Sequence, residues 1–300
     1  MENLFVKIEK MRDKLSKGQK RIAEYIEQHY DKAAFMTASK LGETVGISES
    51  TVVRFAVEIG YDGYPKLQKA MQELIKDKLT SVQRIEVTST RIGNEDILTS
   101  VLNQDIEKIK RTIEEVSHKD FSAAVKAIVE AKNIYIFAVR SSSALANFLG
   151  YYFELIFGNV RIISTTSKIE IYEKLIHINK NDVIIGISFP RYSKTAVEGM
   201  KFASDRHASV IAITDSMISP LVAPADYVLL ASSDMASIVD SLVAPLSLIN
   251  ALIVATVLER KASVENTFQR LETFWDKYDV YAKTSEIVPS DAEKNEDKNG

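Results

Sequence analysis

Two successive architectures are predicted for this 300-residue chain: an all-α helix-turn-helix domain over residues 1–79, then an α/β domain over 120–283 built on a parallel sheet in a flavodoxin/Rossmann-like sandwich. Three observations carry the prediction. Apolar residues recur at helical spacing throughout the first 80 positions, with no continuous apolar run. From Asp120 onward, short continuous apolar segments alternate with helical ones, the texture of strands buried on both faces. Between Met36 and Phe55 the pattern is that of two short helices joined at a glycine.

In the helical region, Leu15, Ile22, Ile26 and Tyr30 mark a helix capped by Ser16. Thr37 or Ser39 can cap the next helix, whose Leu41 and Val45 share a face, and Gly46 supplies the left-handed residue at which it stops. Ser48 caps the following helix. Ile47, Val52 and Phe55 hold the pair together, turning Glu49, Ser50, Thr51 and Arg54 toward solvent or a major groove. The same pattern fits an ordinary helical hairpin. A turn at Gly60–Pro65 precedes a helix carrying Leu67, Met71, Leu74 and Ile75.

Residues 80–119 are read as a linker followed by a connector helix. Thr80–Asn94 has weak periodicity, whereas Ile97, Val101, Leu102, Ile106, Ile109, Ile113 and Val116 recur over about five turns, suiting a helix that packs on another subunit or on the next domain. Val264, Phe268, Leu271, Phe274, Trp275 and Tyr278 outline a closing helix whose stripe belongs to the core or to a subunit interface. The polar, unpatterned residues 284–300 are expected to be a disordered tail.

Composition excludes more than it identifies. Without cysteine there is neither a disulfide nor a thiolate metal site, and no metal-ligand spacing or P-loop is visible. The net charge is −3; residues 1–80 carry 14 basic and 12 acidic side chains against 24 and 29 in the remainder. Local patches such as Lys14, Lys17, Lys20, Arg21 and Lys40 permit phosphate contacts, though a solvated helix face explains them equally. The first residues carry no secretion signal, and a cytoplasmic location is expected. The apolar run Leu242–Leu258, interrupted by Pro245, Ser247, Asn250 and Thr256, reads as a buried helix rather than a membrane span.

The predicted strands are Ile134–Val139, Val160–Ile163, Val183–Ile187, Val210–Ile213 and Tyr227–Leu230. Ligands of such sheets sit beyond the carboxyl ends of the strands, which here lead into Arg140–Ser143, Ser164–Ser167, Ser188–Thr195 and Thr214–Asp215. Hydroxyl-rich turns that open a helix suit phosphate or carboxylate. They also serve simply as caps, as Ser167 with Glu170 would in a capping box.

Taken together, residues 17–26, 38–41, 48–55 and 60–67, followed by Asp182–Ser188, Val210–Asp215, Ser219–Leu221, Ala225–Asp226 and the 240–252 helix, resemble the RpiR-type bacterial transcription regulators. In that family a helix-turn-helix domain precedes a sugar isomerase (SIS) domain that senses a phosphosugar. The resemblance implies a regulator, not an enzyme, that binds a double-stranded DNA operator as a homodimer or homotetramer. It needs no cofactor and controls a carbohydrate-metabolism operon. With helix-face geometry it assigns base reading to Ser50, Thr51 and Glu49 and phosphate contacts to Thr37, Ser39, Lys40, Arg54 and Lys66, with Ser48 also in the DNA-binding set; Arg54 could instead support its helix through a carboxylate.

The ligand loops depart from the family. Where the first usually runs Gly-x-Gly-x-Ser, Ala138 and Arg140 hold the glycine positions, with Ser141 and Ser142 retained. Where the second runs Ser-x-Ser-Gly-x-Thr, Ser188 is kept, Pro190 replaces serine, Arg191 replaces glycine and Ser193 replaces threonine. Guanidinium groups can chelate a phosphate or carboxylate in place of backbone amides. Arg140, Ser141, Ser142, Ser188, Arg191 and Ser193 are therefore the expected contacts of a small anionic effector, a phosphosugar or sugar acid; the alternative is that the arginines pair with carboxylates across a decayed pocket. A sugar-phosphate isomerase is the competing function, but His118, His177 and His207 stand in no catalytic arrangement with Glu170, Glu173 or Glu198.

Overall fold

The computed structural model describes residues 4–75, Val82, Arg84, Ile85 and Thr88, residues 96–233 and residues 239–281. Most of the expected linker, the side chains of Leu74 and Ile75, and the 284–300 tail lie outside the described residues.

The N-terminal region comprises α1 (Leu4–Met11), α2 (Lys17–Ala33), α3 (Ala38–Val45), α4 (Glu49–Glu58) and α5 (Tyr64–Ile75). Ser16 and Gln19 cap α2 reciprocally, the Gln19 amide donating to Ser16 Oγ and the Ser16 amide to Gln19 Oε1. Ile22, Ile26, Leu41, Val52, Phe55, Leu67 and Met71 form one fully buried core. Burial pushes the Tyr64 phenol up, keeping it a donor, and it donates to the Met36 carbonyl at 2.8 Å. That bond ties α5 to the entrance of α3.

The turn between α3 and α4 follows from two glycines. Gly46 has φ 72°, the left-handed conformation expected there, and its amide donates to the Glu43 carbonyl while that of Ile47 donates to Gly42. Gly42 allows the close approach itself, since a Cβ at that position would stand 2.6 Å from the Ile47 carbonyl oxygen. Thr37, rather than Ser39, caps α3. The predicted cap at Ser48 is corrected: its hydroxyl makes no capping bond and instead pairs with Ser50 Oγ (3.1 Å) and Thr51 Oγ1 (2.9 Å).

The second region contains α6 (Ile97–Glu115), α7 (His118–Glu130), β1 (Ile134–Ala138), α8 (Ser143–Ile156), β2 (Val160–Ile163), α9 (Lys168–Leu175), β3 (Val183–Ile187), α10 (Lys194–Ser204), β4 (Ser209–Thr214), β5 (Tyr227–Leu230), α11 (Val243–Glu259) and α12 (Lys261–Lys277). All strand pairs are parallel, in the order β2-β1-β3-β4-β5. One face of the sheet packs on α7, α8 and α11 through Ile136, Ile185, Ile211, Leu149 and Ile249; the other packs on α9 and α10 through Phe137, Ile184, Ile171 and Met200. The apolar run is the packed helix α11, and no single helix among the described residues is long and apolar enough to cross a membrane.

The connector helix meets its own domain through a polar seam. Helix α6 docks on its own domain by polar residues: Lys108 and Thr112 are its buried positions, and Thr112 Oγ1 accepts from the Ser232 amide at 2.9 Å. Ile97, Leu98, Leu102 and Ile113 remain 54–67% exposed. Within one chain Ile97, Val101, Leu102, Ile106 and Ile113 of the predicted stripe therefore face solvent, whereas Ile109 is half-buried and Val116 packs on the domain core.

Gly42→Ala should strain the α3–α4 turn by about 1–3 kcal/mol, the usual penalty for overpacking. Circular dichroism is expected to record a fall in the unfolding midpoint of roughly 2–4 °C per kcal/mol; an unchanged midpoint would mean that the turn has room for a methyl group.

Candidate functional site

The exposed face of α4 displays Glu49, Ser50, Val53, Arg54 and Val57, backed by the buried Val52, Phe55 and Ala56. Arg54 lies back along the helix, its Nε donating to the Ser50 carbonyl (3.3 Å) and its Nη2 to Thr51 Oγ1 (3.4 Å). No carboxylate pairs with it among the described residues. Lys40 forms an exposed ion pair with Glu43 at 2.8 Å, whose hydrogen bond holds the Glu43 carboxyl below its ordinary range. Thr37 and Ser39 stand exposed at the start of α3.

Two of the predicted basic residues also meet other parts of the chain. Arg21 donates to the Val45 carbonyl at 2.6 Å and so stops the C-terminus of α3. Lys66 lines a groove of about 610 Å³ between α5 and α6, where the neighbouring Lys69 pairs with Glu115 at 3.7 Å. Val53 and Val57 are additions: they lie on the same exposed face, where an apolar group can meet a thymine methyl. Their signal was the spacing that turns Val52 inward and its neighbour outward.

At the other end of the molecule, Arg140, Ser141, Ser142, Ser188, Arg191 and Ser193 line one cleft of about 450 Å³. Sheet order brings them together. Ala138 at the end of β1 is in register with Ile187 at the end of β3, and the two following connections diverge to opposite faces, the switch point at which such sheets bind ligands. Arg140 has φ 58° and Arg191 has φ 64°, both in the left-handed region that glycine ordinarily occupies. Both also line an adjoining hollow of about 650 Å³ with Tyr192, Lys194 and Glu198.

The hydroxyls of these loops are partly committed to structure. Ser188 Oγ accepts from the Ser193 amide (3.2 Å), and the Ser188 carbonyl accepts from buried Thr214 (2.9 Å). Ser193 caps α10 through the Ala196 amide, and Tyr192 donates to buried Asp215 at 2.7 Å. The loop after β3 is thus held from both sides, with Arg191 at its exposed apex. Ser167 caps α9, a structural role, through the Glu170 amide. Two cleft residues escape sequence reasoning: Arg84, side chain 4% exposed, and Asp240, whose carboxylate accepts from it at 2.8 Å.

None of the three histidines weighed as catalytic lines either hollow, and all are exposed. Glu198 is engaged by Lys168 at 2.8 Å. No acid/base pair is assembled in the cleft among the described residues.

A left-handed non-glycine residue costs of order 1–3 kcal/mol, while glycine adds roughly 0.5–1 kcal/mol of unfolded-state entropy. Arg140→Gly and Arg191→Gly are each expected to stabilise the chain by about 1 kcal/mol on that balance. A lowered thermal midpoint in either variant would mean that the guanidinium contributes more to the fold than its backbone costs.

Residues 2–78 match the model of the helix-turn-helix domain, rpiR family, and residues 127–255 match that of the SIS domain. The HTH-type transcriptional regulator HexR of Escherichia coli K12 is 25% identical over 279 residues, spanning 90% of this chain and 93% of the relative. An uncharacterized HTH-type transcriptional regulator of Haemophilus influenzae is 26% identical over 233 residues, 76% and 79% of the two chains. Among solved structures, the sugar isomerase domain of an RpiR transcription factor from Sphaerobacter thermophilus superposes with a TM-score of 0.57 at 24% identity, over 59% of this chain and 98% of that one. The Vibrio vulnificus NanR protein complexed with ManNAc-6P gives 0.56 at 19% identity, over 94% and 100%. The two structures establish the fold, and the relatives that share both regions carry the names of transcriptional regulators rather than enzymes. This chain belongs to the RpiR-type bacterial transcription regulators, with a helix-turn-helix DNA-binding region followed by an SIS domain.

Proposed function

We propose that this regulator controls a carbohydrate-metabolism operon in the cytoplasm by binding a two-fold operator, and that an anionic metabolite, a phosphosugar or a sugar acid, occupies the cleft between the β1 and β3 loops and alters operator affinity. The observation that carries the effector reading is the pair of arginines in glycine backbone conformation at the switch point. A strained arginine at each of two adjoining strand ends is costly as decoration. It is intelligible as a cationic replacement for the amide cradle that glycine provides. The phosphosugar bound by the related NanR is consistent with this ligand class.

The division into residues 1–79, 80–119 and 120–283 is part of the same reading: DNA-binding domain, connector, sensor. Glu49, Ser50 and Thr51 take base edges, Ser48 buttresses them through its hydroxyl pairs, and Thr37, Ser39, Lys40, Arg54 and Lys66 take phosphates. Association into a homodimer or homotetramer is supported by the solvent-facing stripe of Ile97, Leu98, Leu102 and Ile113 on α6, which is too apolar to be left in water.

The test is binding of the full chain to DNA from its own upstream region, titrated with salt and with a panel of sugar phosphates and sugar acids. Arg54→Ala should weaken binding to all sequences and flatten the salt slope by about one phosphate, whereas Ser50→Ala with Thr51→Ala should relax base preference by about 1–3 kcal/mol. Arg140→Ala with Arg191→Ala should bind operator normally yet lose the response to the active compound; retention of that response removes the arginines from the site. Leu102→Glu should yield monomers in sedimentation equilibrium; an unchanged mass would place the subunit contact elsewhere.

A further inference from the structure

We infer that Arg84, carried by the segment that joins the DNA-binding helices to the sensor, is itself an effector-contacting residue, and that a bound anion competes with Asp240 for its guanidinium. The inference rests on the reading of the cleft as an anion site.

Arg84 lies between the end of α5 and the start of α6, yet its side chain is buried in the cleft and shares that lining with Arg140 and Arg191. Arg84 has helical backbone, and its carbonyl accepts from the Thr88 hydroxyl at 2.7 Å, which ties it to another residue of the joining segment. On the far side Nη1 reaches Asp240 Oδ1 at 2.8 Å. An anion entering beside Arg140 and Arg191 meets a third cation already held by a carboxylate. Beside the buried Arg84 its charge and that of Asp240 repel, and each is favoured by possession of the same guanidinium.

The consequence reaches both routes to the DNA-binding region. One is the joining segment, through Arg84. The other is α6: Asp240 adjoins Ser241, whose hydroxyl donates to Asp105 Oδ1 at 2.7 Å, and Asp105 also holds Lys108 at 3.0 Å. Exchange of Arg84 from Asp240 to the effector would loosen the loop before α11 and reset the two elements that position the reading heads. This gives the ligand different contacts in two arrangements of the protein, as coupling between sites requires. The competing account is a strut: a buried pair that merely fastens the joining segment to the sensor.

Equilibrium dialysis of radiolabelled inorganic phosphate against the full-length protein separates them, with variants first checked for folding by circular dichroism. Arg84→Gln should bind phosphate about tenfold more weakly, the loss of one charge-assisted contact. Asp240→Asn should bind it about tenfold more tightly, because the competing charge is gone while an amide oxygen still supports the arginine. A strut leaves phosphate affinity unchanged in both variants, and that result overturns the inference. If Arg84→Gln does not fold, Asp240→Asn decides alone: tighter binding sustains the inference, unchanged or weaker binding ends it. Arg140→Ala with Arg191→Ala keeps the two failures apart. Loss of binding there, with no effect at Arg84 or Asp240, leaves the cleft as anion site and removes only the competition. Wild-type affinity in that double variant, or no binding by the wild type, removes the cleft reading and the inference together.

Discussion

The parallel pairing of β1 with β3 is the constraint from which the sensor's chemistry follows. Those strands lie side by side in the middle of the sheet, yet the chain leaves them in opposite directions, to α8 on one face and to α10 on the other. Register fixes the rest, since Ala138 opposite Ile187 delivers the next residues of both strands to one edge at one height. Helices on both faces make this arrangement stiff, because the central strands β1, β3 and β4 are buried on both sides and a slip of one residue would exchange Phe137 for Ile136 in two different cores. The loops vary on a frame that does not. That is why two arginines more than fifty positions apart in sequence can act as a pair.

Arg140 and Arg191 show what that stiffness permits. Their backbones keep the left-handed conformation that suits glycine while their side chains are the largest cations available. A flexible loop would relax the strain by shifting φ. Here the Arg191 loop is anchored by the Ser193 amide on Ser188 and by Tyr192 on Asp215, and the Arg140 turn is closed by the Ser143 hydroxyl on the Arg140 carbonyl. The fold over-determines the conformation, and the strain is carried by the packed sheet beneath. The arginines' exposure keeps them at the mouth of the cleft rather than in the core.

Local rules made much of this legible. Three of the five strands matched at both ends, β1 stopped one residue earlier, and β4 extended one residue further each way; continuous apolar runs bounded by polar turns leave little freedom. Gly46, Ser16 and the inward set Leu41, Val52 and Phe55 were fixed by capping chemistry and helical period. The cleft residues could be named because strand ends converge in this topology. What local rules could not give is what depends on tertiary placement. Ser48 occupies the N-cap position but spends its hydroxyl on Ser50 and Thr51. Arg84 sits in a stretch without periodicity, and only the folded chain carries its side chain to Asp240. Periodicity located the apolar stripe of α6 but not its direction, because a polar seam of Asp105, Lys108 and Thr112 outcompetes it for the sensor surface.

That inversion bears on how such a regulator can work at all. A helix that buried its apolar face on its own domain would be a rigid extension of that domain, and its stripe would have nothing left to offer a second subunit. Helix α6 instead holds its domain by a few directional hydrogen bonds, each worth roughly 0.5–1.5 kcal/mol net, and leaves most of its apolar stripe in solvent, the surface that the proposed association would use. Bonds of that size can be exchanged for others by a ligand whose contacts differ by only a few kcal/mol. A hydrophobic interface between subunits is meanwhile strong and indifferent to small rotations. On the proposed reading, the polar seam then lies where a small anion would alter it, and the apolar stripe where a subunit interface would persist while the reading heads move.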